Sequence, residues 1–121
     1  MTERALLLCL SKDPKLLEVR SRVLSTRYDV TPIGSVEAMK ALVPGSAFNV
    51  FVLCHTLSLT EFDAAIELAR TRWPGIEIVA ITTPWSLRSE RVPTVVDSLA
   101  GPRRLFDSIS GLLDHREQHH L

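Results

Sequence analysis

Five short apolar runs alternate with amphipathic stretches along this chain, and that alternation restricts its fold more than any other feature. Ala5–Leu10 is continuously apolar, the pattern of a parallel strand covered on both faces. Ser11, Lys12 and Asp13 break the run. Asp13 is a good N-cap, and Pro14 stands where a first helical residue would. A helix is expected from there to about Thr26, burying Leu16, Leu17, Val19, Val23 and Leu24. Tyr28–Ile33 reads as a second strand, placed at an edge by Pro32. Ser35 can cap a helix over Val36–Leu42, which Pro44-Gly45 ends. Phe48–Cys54 is the strongest strand signal. Ser58, with Glu61 three residues later, reads as a capping box for a helix through Arg72 that Trp73-Pro74-Gly75 stops. Ile76–Thr82 forms a fourth strand and Thr94–Leu99 a weaker fifth, with room for barely two helical turns between them at Ser86–Arg91. A final helix starts at Pro102 and reaches about His115, burying Leu105, Ile109, Leu112 and Leu113.

Five βα units in series predict an α/β fold of the flavodoxin-like, doubly wound kind: a five-stranded parallel sheet in order 2-1-3-4-5, helices on both faces, and a shortened fourth helix. With 121 residues there is room for one domain, expected over residues 4–116, followed by a polar, disordered tail at 117–121. A chain that is 45% hydrophobic and 23% charged needs no disulfide or metal staple to fold. Cys9 and Cys54 lie inside apolar runs without metal-ligand spacing, so neither a disulfide framework nor a metal site is expected. Lys plus Arg and Asp plus Glu each number 14, which argues against a nucleic-acid partner held by phosphate neutralisation. No apolar run is long enough to span a membrane, and Met1–Arg4 has no signal-peptide layout. A cytoplasmic protein is therefore expected.

In a fold of this kind ligands sit outside the carboxyl ends of the strands. The residues there are Ser11, Lys12 and Asp13, then Cys54, Thr82 and Gly101 ahead of Pro102. Their order and spacing, from Arg4 to about His115, resemble those of a response-regulator receiver domain, the CheY-like phosphoacceptor module of two-component signalling. The resemblance implies an acidic pair after the first strand, an Asp at the end of the third, a Thr or Ser ending the fourth, and a Lys-Pro after the fifth. Ser11 and Lys12 occupy the acidic-pair positions, unless Asp13 substitutes from one residue further on. Cys54 takes the phosphoacceptor position and Gly101 the lysine position. Thr82 keeps the family's residue type, and Ser98 stands at the aromatic switch position.

Acyl-phosphate chemistry needs a carboxylate nucleophile, a magnesium ion on hard oxygen ligands, and a cation for the developing charge. A thiol, missing carboxylates and an extra ammonium supply none of these. A lysine a few ångströms from a divalent cation costs on the order of several kcal/mol. The resemblance thus implies a degenerate receiver, a pseudo-receiver without phosphoacceptor chemistry, cofactor or metal, and not an enzyme. An Asp placed at position 54 is expected to pair with Lys12. The alternative of a conventional receiver with a shifted site would need Asp63 or Asp97, neither of which ends an expected strand.

Each candidate has a plainer reading. Free cysteine is most often a small buried filler, whereas a thiol ahead of a helix N-terminus can become a reactive thiolate. The second makes a redox sensor or small enzyme built on Cys54 the alternative function. Cys54 and His55 cannot form a dyad on an extended strand, where neighbours point to opposite faces. Lys12 is either an internal cation in the emptied site or a solvated loop residue. His115, His119 and His120 are expected at a frayed end, and Trp73 in the core. Trp85 with Arg88, Arg91, Arg103 and Arg104 forms the candidate surface for a protein partner or a second copy of the chain.

Overall fold

The computed structural model describes residues 4–42, 47–54, 57–82, 94–97 and 101–119. Their elements run β1 (Leu6–Leu10), α1 (Pro14–Ser25), β2 (Asp29–Ile33), α2 (Val36–Lys40), β3 (Val50–Leu53), α3 (Leu59–Arg72), β4 (Glu77–Thr82), β5 (Thr94–Asp97) and α4 (Pro102–His119). All strand pairings are parallel, and the sheet order is β2-β1-β3-β4-β5. The predicted topology is the observed one.

Alternation along each strand divides the interior into two layers. Leu8, Leu10, Phe51, Leu53, Ile78 and Ala80 face α2 and α3, meeting Met39, Ala65, Ile66 and Ala69. Leu7, Cys9, Val50, Val52, Cys54, Val79, Ile81 and Val96 face the other way, onto Leu24 of α1 and Leu105 and Ile109 of α4. Phe48 meets the Trp73 ring edge-on at 5.0 Å, which closes the lower end of the first layer. Trp73 is thus a core residue, as expected.

The caps follow the sequence. Asp13 Oδ1 accepts from the Lys15 and Leu16 amides, Ser35 Oγ from Ala38, and Ser58 with Glu61 forms the reciprocal box. Gly75, at φ +87°, makes the left-handed turn after α3 that a side chain would strain. Two arginines hold helix C-termini. Arg4 donates to the carbonyls of Ser25, Arg27 and Tyr28 beyond α1. Arg72 donates to those of Met39, Lys40 and Leu42 at the end of α2, at 2.8–3.2 Å.

Some expectations need correction. Val19 is 59% exposed rather than buried. The covered stripe of α1 passes instead through Leu16, Leu17, Arg20, Ser21 and Leu24, the i, i+4 progression of a helix. The last helix continues to His119 instead of stopping near His115, so it takes in residues 117–119 of the expected tail. The intervening Arg116, Glu117 and Gln118 are good helix formers with no Gly or Pro among them. The shortened fourth helix at Ser86–Arg91 lies outside the described residues, as do His55, Trp85, Ser98 and His120.

Candidate functional site

The carboxyl ends of β1 and β3 bring Ser11, Lys12 and Cys54 to one end of the sheet. Ser11 is buried; its amide donates to Ile33 O at 3.2 Å, and its Oγ accepts from the Asp13 amide at 3.2 Å. Asp13 itself is exposed, and its Oδ1 serves two amides of α1 at 3.0 and 3.2 Å. It is a helix cap, and that use competes with any substitution for an acidic-pair residue.

Lys12 reaches across to α3 and pairs with Glu61, with Nζ 3.1 Å from Oε2 and 3.2 Å from Oε1. Glu61 is held below the ordinary carboxylate range by the Ser58 amide, then by Lys12 and the Ser58 hydroxyl. Lys12 is therefore neither an internal cation alone nor a merely solvated one: it ties the β1–α1 turn to the start of α3.

Cys54 follows β3 directly and is fully buried. Its amide donates to Leu10 O at 3.0 Å, continuing the β1–β3 ladder by one residue. Cys9 stands opposite Val52 in that ladder, so Cys54 lies two residues further along on the same face as Cys9. Both thiols are free, and Cys9 is the neighbour that acts most strongly on Cys54. Arg20, from the covered stripe of α1, and Ser11 act on it as well.

These contacts lower the Cys54 thiol from about 9 to about 7: the Cys9 hydrogen bond is the largest cause, burial opposes it, and Arg20 and Ser11 assist. Cys9 moves the opposite way, raised well above the ordinary thiol value by its bond to Cys54, by burial and by the Cys54 charge, with Arg20 opposing. In physical terms the first proton leaves Cys54, and the remaining S–H of Cys9 solvates the sulfur anion. Cys9 and Arg20 were absent from the candidate residues. Arg20 had a legible signal, a charge four residues from both Leu16 and Leu24 in an apolar stripe. Cys9 had none without the strand register.

Thr82 closes β4 in register with Asp97, the last described residue of β5. The expected continuation of this strand to Leu99 lies outside the described residues. Gly101 precedes α4 at φ +84°, so a lysine placed there would adopt a left-handed backbone at a cost of about 1 kcal/mol. Arg103 and Arg104 are exposed in the first turn of α4, while Arg88 and Arg91 lie outside the described residues.

Magnesium does not fit this donor set. Lys12 brings an ammonium, Asp13 commits one of its two oxygens to the helix, and Cys54 presents a soft sulfur where a hard cation needs oxygen. Among the described residues no group of three or more His, Cys, Asp or Glu could hold a metal ion, and no helix is long and apolar enough to cross a membrane.

Neither a protein-family model nor a curated protein matches the sequence. Solved structures do match the fold. A CheY-like response regulator receiver domain protein from Methanospirillum hungatei superposes with a TM-score of 0.81 at 19% identity, covering 97% of this chain and 99% of that one. The signal receiver domain of an HD domain-containing protein from Pseudomonas fluorescens gives 0.80 at 11% identity, over 96% and 99%. A response regulator receiver domain protein from Clostridium thermocellum gives 0.79 at 11% identity, over 94% and 98%. The chain has the CheY-like receiver fold.

Proposed function

We propose that this chain is a pseudo-receiver: a non-enzymatic, cytoplasmic signalling module that works by protein–protein contact and independently of phosphorylation. The observation that carries the reading is the Lys12–Glu61 ion pair, which stands where a receiver keeps an acidic metal-binding pair. Cys54 supports it, because a sulfur held between Cys9 and Arg20 is not a carboxylate poised for phosphoryl attack. Gly101 removes the third component, the charge-stabilising lysine. The surface that would meet a partner, or a second copy, comprises Trp85, Arg88, Arg91, Arg103 and Arg104, of which Arg103 and Arg104 are exposed on α4. Receiver-like signalling of this kind belongs to bacterial two-component pathways.

Intact-mass spectrometry after incubation with acetyl phosphate and magnesium tests the reading. Neither the natural chain nor Cys54→Asp is expected to gain a phosphoryl group, since the substituted carboxylate still lacks its metal and lysine. An adduct on the natural chain overturns the proposal. A second reading, a thiol-based redox sensor, is favoured by the surroundings of Cys54, where Cys9, Arg20 and Ser11 all act to lower its thiol pKa. Formation of a sulfenic acid at Cys54 under dilute hydroperoxide, with loss of a downstream interaction, supports it, and an inert Cys54 removes it.

A further inference from the structure

Between α1 and α4, beside the ends of β4 and β5, lies a cleft of about 200 Å³. Its floor is the buried Ile81, Val96 and Leu105, and its α1 wall is Leu16, Val19 and Val23. Val19 is the most exposed of these and stands at the mouth. Gly101 and Pro102 border the cleft at the start of α4. A Cβ placed on Gly101 would meet nothing within 4 Å, so no packed neighbour crowds that border. Among the described residues Arg20 is the one charged side chain of the lining; its charge acts on Cys54 and its Nη1 is buried. What the cleft presents to a guest is therefore apolar surface.

The surroundings decide what kind of guest this is. A protein partner is marked by a contiguous exposed apolar patch of on the order of several hundred Å². Here Val19 has the exposed Lys15, Glu18 and Arg22 as its neighbours on α1, and α4 opens with the exposed Arg103 and Arg104. The other large apolar side chains exposed among the described residues, Leu6 and Leu59, lie apart at the starts of β1 and α3. The apolar surface is thus confined to the recess, which suits a small molecule and not a protein face. A charged molecule would give up its hydration to walls that return no hydrogen bond. A neutral apolar one displaces water those walls cannot hold, and gains dispersion contacts with six side chains.

We infer that this cleft binds a small neutral apolar molecule, an aromatic ring or a short hydrocarbon chain, held against Leu16, Val23, Ile81, Val96 and Leu105. A dry apolar cavity of about 150 Å³ takes a benzene molecule. A cleft of about 200 Å³ therefore suits a guest of about six to eight carbons. Such a guest lies between two helices, which gives the fold a chemical input separate from the strand-end positions. The inference goes beyond the pseudo-receiver reading and does not rest on it. Binding in the cleft and phosphoryl transfer at position 54 are measured separately and fail separately.

The probes are benzene and benzoate, titrated into the full chain with methyl NMR to locate the site. Benzene is expected to saturate with a Kd of about 1 mM or tighter. It should shift the methyls of Leu16, Val23, Ile81, Val96 and Leu105. Benzoate, the same ring carrying a charge, should bind about tenfold more weakly or worse. Val23→Phe fills the cleft from its α1 wall and should abolish saturation by benzene. Leu16→Phe fills it from the same wall and takes its place if the first variant fails to fold; the titration of the natural chain needs neither. Benzoate binding as tightly as benzene overturns the inference. So does a shift pattern elsewhere on the surface, no saturation by about 10 mM, or undiminished benzene binding in a folded, filled variant.

Discussion

The Arg20 guanidinium of α1 acts on the thiol of Cys54 at the end of β3, its charge favouring the thiolate. A helix that covers the sheet therefore delivers a half-buried cation beside the position where the receiver resemblance places a carboxylate. The charge relationship there is internal to the protein, between a guanidinium and a sulfur, and needs no metal to balance it.

The first prediction concerns that sulfur. Removing the largest stabilising contact with Cys9→Ala, or the charge with Arg20→Gln, should raise the Cys54 titration from about 7 toward the ordinary thiol value. Thiolate ultraviolet absorbance followed against pH reads this without requiring a reagent to reach a buried group. A midpoint that stays near 7 in both variants would show that neither contact sets it.

Most of the fold was legible because it rests on local signals. Asp13-Pro14, Ser35 and the Ser58–Glu61 pair mark helix starts chemically, and strands buried on both faces read as unbroken apolar runs. Cys54 and Lys12 were placed at the site by spacing alone. The partnership of Cys54 was not legible. It depends on Cys9 standing opposite Val52, a register set by long-range pairing, and on the rotation of α1 that turns Arg20 inward and Val19 out. An Asp at position 54 was accordingly assigned to Lys12, whereas the cation beside position 54 is Arg20 and Lys12 is bonded to Glu61.

Stability should depend on pH through the same pair. The folded Cys54 pKa lies below its unfolded value near 9, so its contribution is full above that value and lost as pH falls through about 7. The shift from about 9 to about 7 sets an upper limit of about 2–3 kcal/mol on the gain across that window. Cys9 has the opposite sign: raised in the folded state, it becomes a penalty once pH exceeds the unfolded thiol value. Urea midpoints of the natural chain relative to Cys54→Ser should rise from pH 7 to about 9 and then level or fall. A difference that is flat across this range contradicts the assignment.

Arg72 should matter to stability more than an ordinary surface residue. Its guanidinium donates to three carbonyls at the end of the five-residue α2, which has little helical stability of its own. Arg72→Met is expected to cost about 1–3 kcal/mol in chemical denaturation, and Arg72→Lys to recover only part, since one ammonium cannot span the three acceptors. A loss below about 0.5 kcal/mol for Arg72→Met would show the cap to be redundant.

Any self-association should be constitutive. Without differential affinity for a phosphodonor there is nothing to shift a population between states. Light scattering over a concentration series should give the same mass with and without acetyl phosphate and magnesium. A donor-dependent change in mass counts against the pseudo-receiver reading.

Pro32 has a consequence at the free margin of the sheet. The Asp29 amide and the Ile33 carbonyl point to β1, so by alternation the outward-facing residues of β2 are Val30 and Pro32. Pro32 has no N–H, which leaves Val30 as the sole strand residue offering a donor there. A neighbouring chain laid along this margin finds one amide where a regular ladder requires a series. The sheet thus ends itself: copies of the protein meeting at high concentration are barred from stacking edge to edge into a continuous ribbon.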